Sequence, residues 1–141
     1  MSLCRPIAAA LLATLACGAG AQTTLAPKTL KALGGEYSQQ CSDPAALRAY
    51  VEQKSLTLRY RGKTVSSAAP RESISYFAAG KAPADFATAL VGQVAGAGKL
   101  AFVFMRPKGG TEMLIDAEPA VLERVGLLRL SQMRFRRCGP A

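Results

Sequence analysis

The sequence predicts an α+β domain: an antiparallel sheet or partly closed barrel of about six strands with two to three short helices. Three observations carry that expectation. Segments with two-residue apolar alternation outnumber segments with helical spacing. At least two pairs of them are joined by glycine-bearing turns short enough for hairpins, and no repeat or low-complexity tract points elsewhere. A chain of 141 residues, half of them apolar, has the length of one domain with one core.

Residues 1–21 read as an export signal. Arg5 supplies a positive start, Ile7 to Cys17 is apolar, and Ala19-Gly20-Ala21 offers small residues to a signal peptidase, with cleavage after Ala21. The apolar run is about half the ~20 residues a membrane-spanning helix needs, so no transmembrane span is expected. The expected location is periplasmic or secreted. Thr14-Leu15-Ala16-Cys17 offers an alternative, cleavage and acylation at Cys17 to give an anchored lipoprotein, although Leu15 sits one place too late for that signal.

Residues 22–33 read as a linker, and 34–141 as the globular domain. Processing leaves two cysteines, Cys41 and Cys138. In an oxidising compartment they should pair. Closing a loop of roughly 100 residues is worth about 4–5 kcal/mol in the chain-entropy description.

Within the domain, Ser42-Asp43-Pro44 resembles a helix start, followed by Leu47, Tyr50 and Val51 along one helical face. Leu56, Leu58 and Tyr60 alternate with Thr57, Arg59 and Arg61. That is a half-buried strand, and Arg61-Gly62-Lys63 turns it into a partner around 64–66. Residues 67–71, with Pro70, read as a loop before a short strand carrying Ile74 and Tyr76 inward. Phe86, Leu90 and Val94 recur every four residues, which predicts a helix over 83–94. Residues 100–105 are apolar on both strand faces, as in a strand covered on each side. The turn 106–110 then leads to a strand over 111–115. Pro119 starts a short helix, capped by Asp116 or Glu118, with Val121, Leu122 and Val125 on one face and Gly126 at its end. The last strand covers 127–138, with a bulge or break near Ser131-Gln132 where the apolar phase shifts.

The composition excludes several chemistries. The sequence contains no histidine, which removes Ser-His-Asp triads, Cys-His pairs and imidazole metal ligands. Two cysteines without histidine cannot complete a structural zinc site. Ser-Lys and Gly-x-Ser-x-Gly nucleophile patterns are missing. Residues 92–99 superficially resemble a phosphate loop, but the glycine spacing is wrong and Leu100 stands where Ser or Thr should bind the metal. No cofactor is expected. Among the nine carboxylates, Glu112, Asp116 and Glu118 lie close in sequence. A carboxylate-dependent hydrolase built on them is one alternative, though a helix cap beside Pro119 accounts for Asp116 or Glu118 more simply.

Charge gives the positive signal. Removing Arg5 from the 18 basic residues leaves 17 against 9 acidic ones, a net of about +8. Arg59-Tyr60-Arg61 and Arg134-Phe135-Arg136 each set arginines opposite an inward aromatic. If their strands are neighbours, Arg59, Arg61, Arg134 and Arg136 form one guanidinium cluster suited to phosphate or carboxylate. The expected partner is an anionic envelope component or another envelope protein. Specific nucleic-acid binding is not expected, since few aromatics are interleaved and no recognition motif accompanies them. The sequence therefore reads as an exported, non-catalytic envelope binding protein. A further alternative is a periplasmic inhibitor or immunity-type protein using loops at 67–72 and 106–111. Phe77, Phe102 and Phe104 read as core, or as the wall of an apolar cavity inside a barrel.

Overall fold

From the first strand to the seventh, each pairs with the next one in the chain, so chain neighbours become sheet neighbours. The computed structural model describes residues 24–74, 81–108, 110–128, 130 and 133–139. Its strands are β1 (Gly35–Ser38), β2 (Arg48–Val51), β3 (Ser55–Tyr60), β4 (Lys63–Ser73), β5 (Phe86–Val94), β6 (Gly98–Met105), β7 (Glu112–Ala117) and β8 (Arg136–Cys138). They form one antiparallel sheet in the order β7-β6-β5-β4-β3-β2-β1-β8. The two ends of that order meet. Phe135, just before β8, exchanges two backbone hydrogen bonds with Met113 of β7, at 3.0 and 2.8 Å, so the sheet curls into a nearly closed barrel.

Among the described residues, two short helices cover opposite ends of the barrel. Helix α1 (Pro27–Leu33) lies at the end that carries the β2–β3 turn, where the Leu25 amide donates to the Gln53 carbonyl at 2.9 Å. Helix α2 (Pro119–Arg124) lies at the other end, following β7. Pro119 begins α2 and Gly126, at φ 77°, ends it, as expected from the sequence. Glu118 stands at the cap position, but its carboxylate accepts the Lys99 amide at 3.0 Å, so it ties the β5–β6 turn to α2 and does not cap the helix.

The interior is packed with side chains. Leu56, Leu58, Leu90, Leu100, Phe102, Phe104, Met113 and Phe135 are all 1% exposed or less and belong to one cluster, which Val121 and Val125 of α2 extend. Each such apolar side chain contributes about 1.5–3 kcal/mol on burial. Tyr37 meets Phe104 edge to face at 5.7 Å, and its hydroxyl donates to the Leu33 carbonyl at 2.9 Å. Burial raises the Tyr37 pKa above its ordinary 10.0, an effect partly opposed by the Arg137 charge. Arg137 pairs in register with Tyr37 and donates to the Gly34 carbonyl at the end of α1. Phe102 and Phe104 are thus core; Phe77 and Tyr76 lie outside the described residues.

Several expectations are corrected. Among the described residues the sheet has eight strands, not about six. The helix expected over 83–94 is β5: a spacing of four is a multiple of two, so Leu90 and Val94 share a strand face as readily as a helix face. Gly92 on that strand lets β4 approach closely, since a Cβ there would overlap Ser67. The helix expected after Asp43 is a turn, in which Asp43 Oδ1 accepts the Ala45 amide at 2.9 Å, and β2 follows from Arg48. The linker expected at 22–33 contains α1, whose Leu33 is buried with Leu25 just before it. The loop expected at 67–71 continues β4 through a register shift between Ala68 and Arg71, with Ala69 at φ 48°. Ile74 is 85% exposed and does not face inward. The long last strand shrinks to β8, and the break expected at 131–132 lies outside the described residues, as do residues 1–23, where the export signal is expected.

Candidate functional site

Strand parity divides the barrel's outer surface into two regions. On β5, β6 and β7 the outward residues include Ala89, Val103 and Met105, which form a second small apolar cluster with Phe86 and Leu114 packed against it. On β1 to β4 the outward residues are polar. Register places Thr64, Arg59, Arg48, Ser38 and Arg136 on one line across β4, β3, β2, β1 and β8. A second line holds Ser66, Thr57, Tyr50, Glu36 and Cys138.

Arg59 and Arg136 are therefore on the same face of the sheet, but β1 and β2 lie between their strands. Three inter-strand steps separate them, about 14 Å along the backbone. This exceeds the ~8 Å screening length at physiological salt. The four arginines do not form one cluster. Arg59 stacks over Tyr50 at 5.3 Å from the ring centre, and Arg61, in the β3–β4 turn at φ 47°, stacks over Tyr60 at 5.0 Å. Arg134 turns toward the other side of the barrel seam, pairing with Glu112 at 2.6 Å and Asp85 at 3.8 Å. Its hydrogen bond to Glu112 is the main cause of its raised pKa.

Arg48 completes the line. Its guanidinium pairs with Glu36 and donates to the carbonyls of Cys41 and Asp43 at 3.0 and 2.9 Å. It thus holds the β1–β2 loop while placing a cation between the two exposed ones. The sequence reading missed Arg48 because it assigned that residue to a helix; the two-residue spacing of Ala49 and Val51 was the available signal. Beside this line, Thr57 and Ser66 hydroxyls lie 2.8 Å apart. Among the described residues neither Arg59 nor Arg136 is in an ion pair.

The Cys41–Cys138 disulfide is present, with Cα atoms 5.5 Å apart, and fastens the β1–β2 loop to β8 at the edge of this face. Of the carboxylates, Glu112 is paired with Arg134 and Glu118 with the Lys99 amide, while Asp116 and Glu118 line a shallow hollow beside Lys99. The proposed recognition loop at 67–72 is bulged strand; the 106–111 segment is the β6–β7 turn. No described helix is long and apolar enough to cross a membrane. No protein-family model, curated protein or solved structure is significantly similar to this chain.

Proposed function

We propose that this chain is an exported, non-catalytic envelope domain that binds an extended anionic polymer across the outer face of β1–β4 and β8. The observation that carries the reading is the register line Arg59–Arg48–Ser38–Arg136, with two unpaired guanidinium groups at its ends. A single small anion reaches only one end at a time, because about 14 Å exceeds the screening length. A chain with repeated carboxylates or phosphates reaches both. The stacked Arg59–Tyr50 pair and the neighbouring hydroxyls suit a polyhydroxylated chain, whose apolar ring faces pack on aromatic side chains while its charges meet arginine.

The test is retention on immobilised polygalacturonate as salt rises, with free inorganic phosphate as competitor. The wild type should bind at low salt and elute progressively. An Arg59→Gln/Arg136→Gln double variant should bind up to about tenfold more weakly, as the loss of two exposed ion contacts allows. Equal retention of both proteins, or displacement by millimolar phosphate at constant ionic strength, would overturn the reading. Intact mass of the exported protein tests the compartment separately: a start at Gln22 supports release, and an acylated Cys17 replaces it with anchoring.

A further inference from the structure

A cavity of about 350 Å³ opens at the α2 end of the barrel, between the β1–β2 loop, the β3–β4 turn and the segment after α2. It is separate from the outward face of β1–β4. That volume is within the range that small-molecule sites occupy. Leu47, Leu130 and Met133 give it an apolar wall, and Gln40, Asp43 and Arg61 line it with polar groups.

The two charged groups are not equivalent. The Asp43 carboxylate is turned into its own loop, where Oδ1 accepts the Ala45 amide. Arg61 is exposed and has no ion pair among the described residues. Its position is fixed twice, by a left-handed backbone at φ 47° and by stacking on Tyr60. A two-residue turn between paired strands takes positive φ at both central positions, as at Arg61 and Gly62, so the hairpin itself sets where the Arg61 side chain starts. The β1–β2 loop opposite is fastened by the disulfide and by Arg48, so two of the three walls are set before any ligand arrives.

We infer that this cavity binds a small amphipathic carboxylate, its apolar body against Leu47, Leu130 and Met133 and its carboxylate on the Arg61 guanidinium. The same chemistry is offered by a medium-chain fatty acid and by the apolar C-terminal residue of a peptide. A planar guanidinium receives a carboxylate through two parallel hydrogen bonds, which a neutral amide cannot replicate.

The test is an amide-shift NMR titration of the disulfide-bonded protein with octanoate and with N-acetyl-leucine, each beside its uncharged amide. At least one acid should saturate with shifts centred on Leu47, Arg61 and Met133, and bind about fivefold tighter than its amide. Saturation by octanoate alone assigns a fatty acid, and by N-acetyl-leucine alone a peptide terminus. Arg61→Gln should abolish the preference for acid over amide, while Lys54→Gln, exposed in the β2–β3 turn at the opposite end of the barrel, leaves it intact. If Arg61→Gln does not fold, Met133→Glu serves instead: a carboxylate in the wall should weaken the acid more than the amide. Failure of both acids to saturate by about 10 mM, equal affinity for acid and amide, or a preference that survives the substitution would overturn the assignment.

Discussion

The two halves of the barrel achieve burial differently. On β5 and β6 both faces are covered: Leu90, Phe102 and Phe104 look inward, while Ala89, Val103 and Met105 look outward and are still 5% exposed or less. On β1 to β4 the outer face is only partly covered: Ser38 and Thr57 are buried there, while Arg59, Thr64 and Ser66 stay exposed. There the outer face carries arginines, tyrosine and hydroxyls, and the strands are held by directed ties: the cystine, the Arg48–Glu36 pair, and the Ser38 hydroxyl donating to the Leu47 carbonyl at 3.0 Å. A face that stays in contact with water forgoes one layer of apolar burial. Polar and covalent links supply the difference.

The largest expected effect comes from exchanging outward residues between the halves. Val103→Asp buries an unpaired charge and should destabilise by about 3 kcal/mol or more. Ser66→Asp, also outward but exposed, should stay within about 0.5 kcal/mol. Urea midpoints measure both, and similar shifts would dissolve the distinction between the halves. Next is Cys41→Ser, for which a loss of about 2–4 kcal/mol is expected. Hydrogen exchange should then show lost protection in β1, β2 and β8, with β5 and β6 retaining theirs. A uniform loss would mean that the halves open as one unit.

Smaller effects resolve the two hairpin turns and the interior. A Cβ on Gly98, at φ 108°, would overlap the Glu118 carboxyl, whereas Gly62, at φ 78°, has nothing within 4 Å. Gly98→Ala should therefore cost about 2–3 kcal/mol and Gly62→Ala about 1 kcal/mol from backbone strain alone. Tyr37→Phe removes one hydrogen bond to Leu33, about 1 kcal/mol. The pH dependence has a fixed sign. Because the folded pKa is raised above 10.0, the tyrosine's contribution is complete below pH 10 and declines as pH rises above it. Urea midpoints at pH 8 and pH 11 should bring the variant closer to wild type at the higher pH, and an unchanged gap would remove Tyr37 as the titrating group.

What the sequence made legible was whatever had an unambiguous local period or an arithmetic constraint. Leu56, Leu58 and Tyr60 with the Arg61-Gly62-Lys63 turn give β3 and the start of β4; the doubly apolar 100–105 gives β6. Cys41 and Cys138, the pair outside the expected signal segment, give the bridge. Phe86, Leu90 and Val94 misled because four-residue spacing satisfies both periods, and the pairing with β6 that decides it is non-local. The strands β1 and β2 are four residues each, so the one alternation of Ala49 and Val51 is outweighed by Asp43-Pro44, which resembles a helix start because a turn and a helix begin with the same cap. The outer basic line was illegible for a related reason: strand order decides which arginines face one another, and Arg134 and Arg136, two residues apart, serve opposite sides of the seam.

The strand order also has a kinetic consequence. From β1 to β7 every pairing joins segments consecutive in the chain, so a growing ladder of hairpins can assemble by closing short loops. The pairing of β8 with β1 is different, since Glu36 meets Cys138 across almost the whole domain. A chain emerging from its N-terminal side holds seven strands before Phe135 and Cys138 arrive, and during that interval the edge of β1 is a template for any other extended segment. The strand that finally covers it is three residues long. So few ladder bonds reopen readily, and the cystine between residues 41 and 138 acts as a latch that makes the late closure persist.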